Sequence, residues 1–510
     1  MQGEKDLVSI LRSRPALWLA LLTVALHLWA NGGYGYFRDE LYFIVCGQRL
    51  DWGYVDQPPL VPLLASFMHA LFPDSLTLFR LIPALAHAGT VVLTAETARK
   101  LGGGNWAQLL AGVAAVLCPL LLVFGTIFYT DSLQPIAWLF CAYALIRIIR
   151  NNDERWWLPM GLVIGLAFMA KYTIALWVIA LLLGLLLTSA RGRLAHPSPY
   201  VATAVAVLIV LPNLLWQWAH GWPFLEFSAA VIEGKNIVHA PWTFVAIQIR
   251  DLNPVTAPIW LAGLAAFAFW RRFEDLRAFS IAYLLLLVAM IALHAKSYYP
   301  SGAYPVLFAG GAVALEAWLT SPRLRAALLV GVVLLSLPLL PFAVPILSIE
   351  RTAAFQGLLG LTAETSDINL APSRVSQLYA DMFGWRELAA LVGRAYQSLS
   401  PEERADAVFF ANNYGEAAAV DVFGKPWGLP PSISTHNNYY LWGPRGHVGS
   451  VVIRLGGRRE ELLKAYASVE AMGATDNPWA LPFETGQTIW ICRGRFKKLD
   501  ADWPELKRYH

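Results

Sequence analysis

Long apolar runs decide what this chain can fold into. They cover residues 16–30, 78–98, 105–125, 132–149, 156–170, 173–189, 198–217, 252–270, 278–294, 303–319 and 326–346. A helix crossing a hydrocarbon core about 30 Å thick needs roughly 17–25 residues, so the runs predict about eleven transmembrane helices. The whole chain of 510 residues is 57% hydrophobic and 15% charged. Soluble domains carry about 25% charged residues, so a soluble enzyme is excluded, and so apolar a chain cannot be disordered. Residues 156–189 as one helix would be roughly 50 Å long, far more than the core needs. A break near Lys171 solves this and is expected to expose that lysine at one membrane face.

Charge sets the topology. Lys5, Arg12 and Arg14 precede the first run, and no convincing small-residue cleavage site follows it, so we read it as a retained span. Arg99/Lys100, Arg147/Arg150/Arg155, Arg191/Arg193, Arg271/Arg272/Arg277 and Arg323/Arg325 fall on the same side as that basic end. The alternate loops hold Asp39/Glu40, Asp131, Lys171, Glu226/Glu233 and Lys296. By the positive-inside rule the N-terminus is cytoplasmic, and an odd number of spans places the C-terminal part outside. The net charge of +4 therefore reads as topology and not as a nucleic-acid patch.

Two domains are expected. Residues 1–349 form the membrane domain, with short interfacial helices on the outer face in 31–75, where charges, prolines and aromatics mix. Residues 350–510 have the composition of a small α/β domain. Helical patterns fall at 384–398 and 458–472, and strand patterns at 407–410, 449–455 and 488–492. The four cysteines form no metal-binding or disulfide spacing, and Cys118 and Cys141 read as small core residues.

Five motifs carry polar chemistry, and all fall on the predicted outer side. Tyr36-Phe37-Arg38-Asp39-Glu40 holds two adjacent carboxylates at a membrane boundary, where charge is costly unless solvated or functional. Neighbouring residues face different ways on a helix, so at most one enters a given cleft. A shielded carboxylate there can take a proton from a hydroxyl; the alternative is a solvated loop end. Asp56-Gln57-Pro58-Pro59 fixes an extended turn that holds Asp56 before it. Thr130-Asp131-Ser132 is either part of a site or a helix cap. Lys171-Tyr172 and Lys296-Ser297-Tyr298-Tyr299 hold cations that either bind phosphate or snorkel. Arg250 is a further cation in the outer loop 217–251, which itself reads either as an acceptor entrance or as an aromatic belt. His436, Asn437 and Asn438 suit either a sugar or an Asx turn.

At these residues the sequence resembles the GT-C superfamily of membrane glycosyltransferases. It is closest to the bacterial branch related to protein O-mannosyltransferases and lipid A aminoarabinose transferase. DELYF…GYVDQPPLVPLL, TDS, AKYT and KSYYPSGAYPVLFAGG carry the likeness over roughly residues 10–310. Asn413-Tyr414-Gly415-Glu416 and the stretch from Ser434 to Pro444 look like a C-terminal domain common in that branch. The resemblance implies a polytopic α-helical, GT-C-like membrane protein in a bacterial inner membrane. It also implies a polyprenyl-phosphate-linked sugar donor, inversion at the anomeric carbon and transfer on the non-cytoplasmic face to a glycolipid, glycan or protein acceptor. Asp39 takes the base position with Glu40 alongside. Asp56 and Gln57 stand where an acidic residue and, in aminoarabinose transferases, a lysine occur. Asp131, Lys171, Tyr172, Arg250, Lys296, Tyr298 and Tyr299 become candidates for holding the donor.

No cofactor and no metal are expected, although Asp39, Glu40, Asp56 and Asp131 offer oxygens of the kind a divalent ion takes in the oligosaccharyltransferase branch. The competing class is a secondary transporter or lipid flippase, which would place its ionisable groups at the midplane and often repeats its halves. A membrane-anchored binding or sensor protein is a third class, and it has no need of charged outer loops on so many spans.

Overall fold

A computed structural model describes residues 14–359 and 373–510. The chain divides into two compact units. One comprises Met1–Gly32, Thr77–Leu215 and Val238–Ile346, the other Gly33–Leu76, Trp216–Ile237 and Leu347–His510. The interfacial segment 31–75, from Gly33 on, and the first part of the 217–251 loop fold with the C-terminal part. That loop is also largely helical, with helices at Pro223–Gly234 and Pro241–Asp251.

The first unit is all helical, and each predicted apolar run that is described carries a helix. Among the described residues, three helices are long and apolar enough to cross a membrane alone: Leu81–Lys100, Ser198–Ala219 and Pro322–Phe342. Three bent pairs, each counted as one span, raise this to six. Several others are short. Trp157–Phe168 has 12 residues, or about 18 Å at 1.5 Å per residue. Leucine, valine and aromatic side chains stand out from these helices, Leu208 being 67% and Phe269 83% exposed. That much outward apolar surface suits lipid and not water.

Inside the unit, helices approach through small residues. A side chain at Gly311 would collide with the Ile259 carbonyl, and one at Gly263 with that of Leu307, so Ala257–Phe269 and Tyr304–Trp318 touch backbone to backbone. Trp138 and Trp177 stack with centroids 5.5 Å apart and fill the centre. The basic loops meet one another. Arg150 donates to the Arg272 carbonyl at 2.7 Å and pairs with Asp275, Arg272 donates to the Gly102 carbonyl at 2.8 Å, and Glu316 accepts from Gly104 N–H at 2.6 Å. The loops grouped by charge in the sequence thus form one end of this unit.

The second unit is mixed. Its sheet contains β1 (Val408–Ala411), β2 (Ile433–Ser434), β3 (Val451–Leu455), β4 (Tyr466–Ala474) and β5 (Thr488–Arg495), in the order β2-β1-β3-β5-β4. The first three are parallel, while β5 runs antiparallel to both β3 and β4. The predicted helix at 458–472 is only the turn Arg459–Leu462 followed by β4. Its helical spacing is overridden by pairing with β5, from Tyr466 opposite Arg495 to Ala474 opposite Thr488. Helices Trp385–Gln397 and Tyr414–Phe423 belong to the same unit, as do Arg38–Gln48 and Leu60–Leu71. Gly415 lets Tyr414–Phe423 lie against Arg38, whose side chain a Cβ there would strike.

Candidate active site

The adjacent carboxylates at 39 and 40 separate as helix geometry requires. Glu40 is buried and turns back to accept the Phe37 N–H at 2.8 Å, satisfying one of the open donors at its own helix start. Asp39, with 17% of its side chain exposed, accepts the Tyr414 hydroxyl on Oδ1 at 2.7 Å and lies 3.8 Å from the Arg38 guanidinium. Its Oδ2 makes no hydrogen bond with the described residues. Arg38 also reaches Asp381 at 3.5 Å.

Behind this pair lies a second carboxylate. Asp56 accepts the Tyr42 hydroxyl at 3.0 Å and the Asn437 amide at 3.1 Å. Asn438 completes the junction: its N–H donates to the Tyr42 oxygen at 3.2 Å, and its side-chain oxygen accepts Val55 N–H at 3.2 Å. Burial pushes the Asp56 carboxyl up to about 7, against the hydrogen bond from Tyr42. Gln57 is buried, its amide 3.9 Å from the Cys46 sulfur.

The Asp56 shift predicts a pH effect. The folded state holds this proton up to about pH 7, whereas the unfolded chain loses it near the ordinary value of 3.8. Stability from this group is complete at low pH and falls as pH rises through that window. Asp56→Asn carries no such loss. Its melting temperature minus that of the wild type should therefore grow from pH 5 to 7 and level off above. A difference that stays flat would remove Asp56 as a buried titrating group.

The other candidates gather in the first unit. The break between Trp157–Phe168 and Ile174–Leu186 carries Lys171, as expected, but the lysine is not on open display. Its side chain is 14% exposed and forms an ion pair with Asp131, which is 2% exposed. The ammonium also lies 4.3 Å from the Tyr299 ring centre and 5.5 Å from those of Tyr129 and Tyr298. The Tyr129 and Tyr298 hydroxyls bond at 2.9 Å. Burial pushes the Asp131 carboxyl up, opposed first by Lys171 and then by Lys296. Tyr172 turns away to donate to Asn213 at 3.0 Å. Arg250 pairs with Asp251 at 2.8 Å, and Asp251 accepts the Ser297 hydroxyl at 3.2 Å, so it is tied to the segment carrying Lys296.

The candidate residues thus form two clusters. Asp39, Glu40, Asp56 and Gln57 lie in the second unit, and Asp131, Lys171, Tyr172, Arg250, Lys296, Tyr298 and Tyr299 in the first. Sequence reasoning missed Tyr129, and gave no role to Tyr42, which ends the motif that begins at Tyr36, or to Tyr414. Tyr414 and Asn437 do sit within the two C-terminal motifs that carried the family resemblance. Among the described residues no three His, Cys, Asp or Glu side chains gather as a metal site requires. Of the four carboxylates, Glu40 accepts a backbone N–H, both Asp56 oxygens accept protein donors, Asp131 holds Lys171, and Asp39 keeps Oδ2 open.

Known proteins resemble this chain in sequence and in fold. Residues 56–216 match the family model described as dolichyl-phosphate-mannose-protein mannosyltransferase. Over 222 residues the chain is 29% identical to the lipid A galacturonosyltransferase RgtD of Rhizobium johnstonii, covering 42% of this chain and 44% of the relative. The chain thus matches less than half the length of that relative. The crystal structure of ArnT from Cupriavidus metallidurans in the apo state superposes with a TM-score of 0.63 at 14% identity, over 96% of this chain and 98% of the other. The same protein bound to undecaprenyl phosphate gives 0.62 at 14% identity, over 93% and 97%. The chain thus shares the fold of these ArnT structures.

Proposed function

We propose that this chain is an inverting glycosyltransferase that moves a sugar from a polyprenyl phosphate to a glycolipid, glycan or protein on the non-cytoplasmic face of a bacterial inner membrane. About eleven helices span or enter the membrane, the N-terminus is cytoplasmic and the C-terminal domain is outside. The observation that carries the reading is Asp39: oriented through Oδ1 by Tyr414, with Oδ2 open and Glu40 occupied at the helix start. The fold shared with a protein crystallised with undecaprenyl phosphate, and the stretch of identity to a lipid A galacturonosyltransferase, support a lipid-linked donor and a glycolipid acceptor.

In this mechanism Asp39 Oδ2 takes the proton of an acceptor hydroxyl. The acceptor oxygen forms its bond to the anomeric carbon as the bond from that carbon to the phosphate oxygen breaks. Polyprenyl phosphate leaves with the electron pair, and the configuration inverts. A phosphate monoester is a stable anion, so cations suffice in place of a general acid. In the first unit Lys171, held by Asp131, and Lys296 are the cations taken to meet the phosphate. The Tyr129 and Tyr298 hydroxyls add donors, and the tyrosine rings shield the ammonium from water. Arg250 and its Asp251 partner are electrically neutral together, which makes Arg250 secondary. No step requires a metal.

Incubating the purified chain in detergent with a radiolabelled polyprenyl-phosphate sugar and an envelope glycolipid extract tests this. Labelled glycolipid should form in equal amount with free polyprenyl phosphate, and chelator should not stop it. Uptake of the donor into vesicles without covalent transfer would favour a transporter and overturn the reading.

A further inference from the structure

The motif Asn413-Tyr414-Gly415-Glu416 does more than supply the Tyr414 contact. Asn413 caps the helix Tyr414–Phe423, its Oδ1 accepting Glu416 N–H at 2.9 Å. Glu416 reaches back, and its Oε2 accepts Asn412 N–H at 2.6 Å. Capping explains that much of Glu416 and leaves Glu484 unexplained. The Asn413 amide nitrogen donates to Glu416 Oε1 at 2.9 Å and to Glu484 Oε1 at 3.1 Å. One NH2 group thus holds two carboxyl groups together, and both are buried, Glu416 being 2% and Glu484 7% exposed.

Two buried carboxyl groups held by one amide repel each other strongly when both are ionised. The hydrogen bonds assign the charge. Both Glu416 oxygens accept N–H donors, as an anion does. Glu484 accepts a donor on Oε1 and, among the described residues, none on Oε2, which leaves that oxygen for a proton. Burial pushes both carboxyls up, and the Glu416 charge pushes Glu484 further. Arg454 on β3 acts on Glu416, Arg38 and Asp381 act on Glu484, and Lys235 and Arg508 line a cavity that Glu416 borders. Arg38 is also the guanidinium that lies 3.8 Å from Asp39.

We propose that Glu416 and Glu484 share one proton, carried on Glu484 Oε2, and that the pair positions Asp39 through the motif. With the proton in place the pair bears a single negative charge, and both carboxyl groups hold Asn413. Asn413 fixes the helix start that carries Tyr414, and Tyr414 orients Asp39. When the proton leaves, a second anion repels the first and draws Arg38 away from Asp39. Glu416 and Glu484 are positioning residues, and their effect on transfer rests on the reading of Asp39 as base.

The pH profile of sugar transfer by the full chain in detergent tests this. A general base alone makes the rate rise with pH and level off. The pair adds a fall of about tenfold per pH unit once Glu484 ionises, as the loss of one required proton gives. Glu484→Gln keeps a neutral acceptor for Asn413, so it should hold the wild-type plateau and lack that fall. Glu484→Ala leaves Asn413 one carboxyl group and should lower the rate at every pH, with melting temperature confirming the fold of both variants. Infrared difference spectra on raising pH should show a protonated-carboxyl band in the wild type that is missing from Glu484→Gln. The same fall in Glu484→Gln as in the wild type, or no band difference between the two, would overturn the proposal. Near-wild-type transfer by Asp39→Asn with the band difference present would remove Asp39 as base and still support the shared proton.

Discussion

Asp39→Asn should lower the rate of sugar transfer by about 10²–10⁴-fold, the range general-base catalysis supplies, while leaving the melting temperature unchanged. The asparagine side-chain oxygen can still accept the Tyr414 hydroxyl, which in the wild type is 2.7 Å from Oδ1, so the local packing survives while the basic oxygen is lost. The neighbouring carboxylate provides the internal control. Glu40→Gln weakens a bond to the Phe37 N–H at the helix start, so it should affect stability and change transfer less than tenfold. Measuring rate and melting temperature on both variants separates the two acids. Near-wild-type transfer by Asp39→Asn, or a larger rate loss in Glu40→Gln, would show that the base has been misassigned.

Lys171→Met should produce the largest loss of stability, about 3–5 kcal/mol, because it strands the Asp131 carboxylate in a site where 2% of its side chain is exposed. The tyrosine rings around the ammonium close the site further and cannot replace its charge. Lys171→Met/Asp131→Asn removes both charges at once and should regain most of the lost stability, since paired charges can often be replaced together at little cost. Donor binding should not return with it, because the cation facing the phosphate is gone. Thermal unfolding and polyprenyl phosphate binding on the three proteins make the distinction. A double variant that binds the lipid as the wild type does would reduce Lys171 to a purely structural role.

The elements most legible in the sequence were those written in long periodic stretches. Each described apolar run carries a helix, and the break at Lys171 follows from length alone. The environment of that lysine was not legible, because its partner Asp131 is 40 residues away, in the segment that also carries Tyr129, and Tyr298 and Tyr299 come from one further segment. The residues of 458–472 could be misread because helical spacing is local, whereas the pairing of β4 with β5 is not. The separation of Asp39 from Glu40 was readable from helix geometry, yet the group that orients Asp39 lies 375 positions along the chain. Tyr414 stood out only within a motif without a role, and Asn437 as suited to either a sugar or an Asx turn. In the structure they contact Asp39 and Asp56, on the helix Arg38–Gln48 and the loop after it in the same unit. Gln57 became a candidate only through the resemblance, as the residue standing where aminoarabinose transferases have a lysine, and in the structure its amide lies against Cys46.

An experimental structure of the chain with polyprenyl phosphate bound tests the account most directly. The account predicts phosphate oxygens within hydrogen-bonding distance of the Lys171 ammonium and the Tyr129 or Tyr298 hydroxyl, with Asp131 still holding the lysine. A phosphate bound elsewhere, with the lysine and its tyrosine rings unengaged, would contradict it.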